Sequence, residues 1–131
     1  MELDGKVAVV TGGNSGIGRA ISEVFAREMA KVVIGARNEK TAAQTVEAIS
    51  RKNGTATFIR TDVRESSQVK RLIEETIRRY GTIDILCNNS GLELVKPLVD
   101  TSEDEWDFIM NTNLRSVFLV SKYALPHMMK K

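Results

Sequence analysis

Between Lys6 and Gly18 the chain reads KVAVVTGGNSGIG, and few folds accommodate that stretch. Val7-Ala8-Val9-Val10 is an unbroken apolar run that ends in Thr11. Such a run fits a strand covered on both faces. Gly12, Gly13, Gly16 and Gly18 follow within seven residues. Ile17, Ala20, Ile21, Val24 and Phe25 then recur at helical spacing, which predicts an amphipathic helix over about 16–28. Strand, glycine turn and helix in that order point to nucleotide binding. The amino end of a helix offers unpaired N–H groups and the positive end of a dipole, so a pyrophosphate is stabilised there. Glycine lets a ligand approach the backbone where a Cβ would block it. The spacing Thr11-Gly12-x-x-x-Gly16-x-Gly18 differs from the G-x-G-x-x-G form, and a tight turn without a ligand is the plain alternative for the glycines alone.

A second motif, Asn88-Asn89-Ser90-Gly91, closes a later apolar run, Ile83-Asp84-Ile85-Leu86-Cys87. The run Thr11 to Gly18 resembles the cofactor signature of the short-chain dehydrogenases/reductases. The second motif resembles that family's Asn-Asn-Ala-Gly, with Ser90 in place of the alanine. The resemblance covers the whole chain. It implies an α/β fold, a Rossmann-type doubly wound parallel sheet of four strands in the order 3-2-1-4, truncated relative to the family. Residues 1–131 are expected to form a single dinucleotide-binding domain that lacks the family's catalytic half. The resemblance implies that Gly12, Asn14, Ser15, Gly16, Ile17 and Gly18 meet the cofactor. It places Asn88, Ser90 and Gly91 on the cofactor too, with Gly91 near the nicotinamide half, and gives Asn89 the task of holding strand ends together. Within the family, the chain is similar to 3-oxoacyl-acyl-carrier-protein reductases and to sugar and alcohol dehydrogenases.

The other elements follow in order. Val32 to Ala36 predicts a second strand, and Arg37 follows it. An acid at that strand end would accept from ribose hydroxyls, whereas an Arg pairs with a 2′-phosphate. Arg37 therefore favours NADP(H), with NAD(H) as the alternative if Arg37 is a solvated charge beside Glu39. Met29-Ala30 stands where the family has Gly-Ala before this strand. A Met in a left-handed position is strained by roughly 1 kcal/mol, so a different helix end is expected. A helix over about 39–52 carries Ala42, Thr45, Val46 and Ile49 on one face and ends at Asn53-Gly54. Strand three is expected at 56–61. Asp62-Val63 follows, and the resemblance sets Asp62 against the adenine amine. Asp62 also stands three residues before Glu65, which is capping-box spacing, and Ser66 is another candidate cap. A helix over Ser66 to Tyr80 carries Val69, Leu72, Ile73, Thr76, Ile77 and Tyr80, and Gly81 stops it.

Ser102 and Glu105 form a capping box at the start of the last helix. Its apolar stripe reads Trp106, Ile109, Met110, Leu114, Val117, Phe118, Leu125 and Met128, with Asn113 inside it. A buried Asn without partners costs about 1–3 kcal/mol, so Asn113 must bond to something. The residues alone allow a satisfied core amide that kinks the helix. The resemblance instead matches Asn113 to the catalytic Asn that holds a water in a proton relay. The family's catalytic Ser and Tyr-x-x-x-Lys have no match here: Tyr123 is followed four on by His127, and Tyr80 by Asp84.

The parent reaction implied is hydride transfer between nicotinamide and a carbonyl or alcohol substrate, and the chain alone is expected to be inactive. The alternatives are a dinucleotide-binding module and an assembly half without catalysis. The charge balance, 19 basic against 17 acidic residues, points to neither nucleic acid nor a membrane surface. One cysteine, Cys87, rules out an internal disulfide and fits a reducing compartment. With an acidic start, Met1-Glu2-Leu3-Asp4, and no membrane-span pattern, the expectation is a cytoplasmic protein with no metal cluster. The fourth strand's apolar sequence expects a neighbour, so self-association as a homo-oligomer is expected.

Overall fold

The computed structural model describes residues 1–130; Lys131 lies outside the described residues. The chain alternates strand and helix: β1 (Val7–Thr11), α1 (Gly16–Arg27), β2 (Lys31–Ala36), α2 (Glu39–Arg51), β3 (Thr55–Arg60), α3 (Ser66–Tyr80) and β4 (Ile85–Asn88). The four strands form one parallel sheet in the order β3-β2-β1-β4, the order expected. Consecutive apolar residues serve opposite faces. Val9 and Val33 pack with Leu72, Ile73, Leu119 and Val120, while Val10, Val32 and Ile34 pack with Ala26 and Ile49. All five residues of β1 are buried, which is why the strand reads as a run and not as an alternation.

Helices α2 and α3 present the faces the spacing predicts, with Ala42, Thr45 and Ile49 buried in one and Val69, Leu72, Ile73 and Thr76 in the other. Helix α1 does so only in part: Ile21 and Phe25 pack against the core, but its fully buried residues are Gly18, Ser22 and Ala26, and Ile17 is 76% exposed and Val24 41% exposed. Small residues bring α1 close to the sheet. The buried Ser22 hydroxyl loses nothing by it, since it lies 3.0 Å from the carbonyls of both Gly13 and Gly18.

The end of α1 departs from expectation in the other direction. Met29 does take the left-handed conformation, at φ 74°. The N–H groups of Met29 and Ala30 reach back to the carbonyls of Ala26 and Phe25, both at 3.0 Å. These are the two bonds of a Schellman ending. The same pair of bonds closes α2, through Asn53 at φ 65° and Gly54.

The expected single last helix is two. Helix α4 (Glu103–Met110) passes through one π-helical turn (Asn111–Arg115) into α5 (Ser116–Met128). The stripe is also not the buried face. Trp106, Leu114 and Phe118 are 55%, 61% and 61% exposed, whereas Thr112, Ser116, Leu119, Val120 and Ala124 are buried. The inward hydroxyls are satisfied within the helix, Thr112 on the carbonyl of Phe108 and Ser116 on that of Thr112. Hydropathy alone therefore picks the wrong face. Helix α5 packs against α3 and β4. Strand β4 begins at Ile85, two residues later than expected, with Ile83 buried just ahead of it.

Candidate functional site

At the carboxyl ends of the strands the structure opens a crevice of about 730 Å³. Open parallel sheets bind ligands there. Its floor depends on Thr11. The Thr11 hydroxyl accepts from the N–H groups of Asn89 and Ser90, both at 3.1 Å, and so ties the end of β1 to the turn after β4. The side-chain amide of Asn89 donates to the Gly12 carbonyl at 3.2 Å and closes the same seam. Into this seam the first turn of α1 presses Gly18. A Cβ there would lie 2.0 Å from the Gly12 carbonyl oxygen and 2.3 Å from Asn89 Nδ2, so only glycine fits.

The amino end of α1 is open. Ser15 stands at the N-cap without a side-chain capping bond, and the first turn holds no acid. By contrast, Asn38 caps α2, and α4 has a complete capping box with Glu103, Asp104 and Glu105 in its first turn. Gly12, Asn14, Ser15 and Ile17 line the crevice around this end. Asn14 is anchored to α2, its amide donating to Thr41 Oγ1 at 2.7 Å and its carbonyl accepting from Thr45 Oγ1 at 3.2 Å. Gly18 packs behind the turn, Gly16 takes the left-handed conformation at φ 53°, and neither is part of the lining.

Arg37 lines the opposite end, with Asn38, Arg60, Asp62, Val63 and Arg64. No ion pair forms between Arg37 and Glu39. Asp62 caps nothing, and neither does Ser66: α3 starts after Glu65. The Asp62 carboxylate holds Arg64, Oδ1 accepting from both its backbone N–H and Nε at 3.0 Å and Oδ2 from Nη2 at 2.7 Å. Those bonds keep the Asp62 carboxyl below the ordinary carboxylate range, and Arg37 adds a smaller pull the same way. The Arg64 guanidinium also lies 4.7 Å from the centre of the Phe108 ring.

The third side is the turn after β4. Ser90 and Gly91 line the crevice; Asn88 does not, its amide donating to Ser121 Oγ on α5 at 3.3 Å. Asn113 stands just behind Gly91. Its amide is occupied at both ends by the backbone of Leu92, accepting from the N–H at 2.7 Å and donating to the carbonyl at 2.8 Å. This pins the loop after β4 to the π turn. The structure thus brings together Gly12, Asn14, Ser15, Ile17, Arg37, Asp62, Val63, Ser90 and Gly91, and leaves Gly16, Gly18, Asn88 and Asn113 outside the lining. Sequence reasoning missed Arg60 and Arg64. Arg60 stands two residues before Asp62 at a strand end, a position that could have flagged it.

These residues fit the adenosine and pyrophosphate half of a dinucleotide: an uncapped helix start, a seam with no room for a Cβ, and free guanidinium charge at the far end. Cys87 is a half-buried thiol pushed up by burial, and no group of metal-ligating side chains occurs among the described residues. None of the described helices is long and apolar enough to cross a membrane.

A family model for short chain dehydrogenases matches residues 6–131. The chain is 35% identical to the 3-oxoacyl-[acyl-carrier-protein] reductase of Thermotoga maritima over 131 residues, covering 100% of this chain and 53% of that protein. It is 35% identical to glucose 1-dehydrogenase 2 of Bacillus subtilis, covering 98% of this chain and 51% of that one. A solved short-chain dehydrogenase/reductase from Burkholderia xenovorans superposes with a TM-score of 0.95 at 37% identity, covering 98% of this chain and 53% of that one. The chain spans about half the length of the curated relatives it matches.

Proposed function

The chain belongs to the short chain dehydrogenase family, and on that footing we propose that it is the NADP(H)-binding half of an oxidoreductase acting on a carbonyl or alcohol substrate. The observation that carries this reading is the crevice itself, with an open helix start at one end and the unpaired Arg37 at the other. When bound, the nicotinamide supplies a hydride acceptor or donor. The unpaired backbone N–H groups at the open start of α1 would hold the pyrophosphate. Arg37 would take the 2′-phosphate as a charge-assisted pair. Asp62 and Val63 would flank the adenine, with Asp62 sharing its carboxylate between that ring and Arg64. Ser90 and Gly91 would border the nicotinamide side, and Asn88 the adjoining ribose. Asn113 gives Leu92 one donor and one acceptor of its amide, and with the second hydrogen and lone pair it would hold the relay water.

One observation favours binding without turnover in this chain. Tyr80 Oη is bonded to Thr57 Oγ1 at 3.1 Å, Tyr123 packs against the core, and neither lines the crevice. A dinucleotide-binding module or an assembly half is therefore the second reading. A cytoplasmic homo-oligomer completes the proposal.

Calorimetric titration with NADPH and NADH tests it. NADPH should bind more tightly, and Arg37→Asp should lower its affinity by about ten- to hundredfold while sparing NADH. An unchanged NADPH/NADH ratio in the variant would overturn the phosphate assignment. Binding of neither cofactor would overturn the dinucleotide reading for this chain.

A further inference from the structure

The end of the crevice at β2 and β3 holds more positive charge than one arginine explains. Arg60 closes β3 in register with Ala36, and the Thr61 N–H donates to the Ala36 carbonyl at 2.8 Å. Arg60 therefore springs from the strand end beside the one that carries Arg37, and both line the crevice. Arg60 shares a face of the sheet with Ala36, as side chains of register partners do. It is exposed, and among the described residues it has no ion pair and no side-chain hydrogen bond. The one carboxylate in the lining cannot answer it. Asp62 has both oxygens on Arg64, and among the residues that lower its pKa are Arg64 and Arg37 but not Arg60. Asp62 thus answers Arg64 and, more weakly, Arg37, and Arg60 is the guanidinium of the lining that it does not answer.

We propose that Arg60 is a second reader of the cofactor's 2′-phosphate, acting with Arg37 from the adjoining strand end. This rests on the reading of the crevice as a dinucleotide site. A phosphomonoester carries close to two negative charges at neutral pH and offers three acceptor oxygens, so two guanidinium forks can be satisfied at once. Two guanidinium groups lining one crevice are both answered by such an anion. An unphosphorylated ribose gives Arg60 nothing to neutralise. The second arginine therefore sharpens discrimination as well as affinity.

The test compares the whole chain with Arg60→Gln and Arg60→Lys by calorimetry. The probes are 2′,5′-ADP and 5′-AMP, which differ only in the 2′-phosphate. Wild type should prefer 2′,5′-ADP. Arg60→Gln should weaken 2′,5′-ADP about tenfold, leave 5′-AMP unchanged and flatten the salt dependence of 2′,5′-ADP binding. Arg60→Lys, which keeps the charge but not the fork, should fall between the two. Equal weakening of both probes would make Arg60 a structural residue and overturn the proposal. An unchanged 2′,5′-ADP affinity in Arg60→Gln, with the preference lost in Arg37→Asp, would leave Arg37 as the sole reader. A wild type without preference would overturn the NADP(H) reading, and Arg60's role with it.

Discussion

Met29 leaves α1 at φ 74°, where an L side chain costs about 1 kcal/mol or more relative to glycine. Its side chain is 48% exposed, so little burial offsets the strain. Met29→Gly should therefore raise stability by about 1 kcal/mol, seen in urea unfolding as a higher midpoint at an unchanged slope. Single residues differed in how far they could be read. Gly18 was legible because its constraint is steric: the neighbouring carbonyl leaves no space for a Cβ. Asp62 was only half legible. Its place at a strand end was plain from the sequence, but its pairing with Arg64 arises from a turn that brings residues two apart onto one carboxylate. Asn113 had to find partners, and those it found lie twenty-one residues away on Leu92.

At the scale of elements, short-range rules held and long-range ones did not. The capping box at α4 was legible because Ser102 and Glu105 satisfy each other within one turn. Lys96 joining the same carboxylate at 3.0 Å was not, since the loop after β4 delivers it. Together these bonds hold the Glu105 carboxyl down to about 2. A lowered carboxyl pKa stabilises the fold fully above the ordinary value and loses that effect as pH falls through the lowered one. Wild type and Glu105→Gln should thus melt at different temperatures at neutral pH and converge as the pH approaches 2. The polar residues on the inward faces of α1, the π turn and α5 escaped the hydropathy pattern for a common reason. Ser22, Thr112 and Ser116 bury hydroxyls that each donate to a carbonyl four residues back, so polarity there is no bar to burial. Trp106, Leu114 and Phe118 were thereby left outside.

For the whole molecule, that outward surface is the main unresolved exposure. Leu114, Val117, Phe118 and Leu125 are exposed on the last helical segment, and β4 pairs with β1 alone. Apolar patches and unpaired strand edges both favour association. Sedimentation should show the chain self-associating with concentration, and Phe118→Glu should shift it toward monomer without unfolding it. A monomer at every concentration would count against this. The sheet order was legible from two motifs and the alternation between them, because each strand end had to reach one crevice. The seam at Thr11 carries a consequence in time. Its hydroxyl joins amides 78 and 79 residues farther along the chain. The crevice therefore has no floor until the turn after β4 has docked, however early the glycine turn forms. Contacts of such sequence separation are late and slow to close. A ligand that needs both sides meets only a finished sheet, so it prolongs the life of the folded chain without hastening its birth.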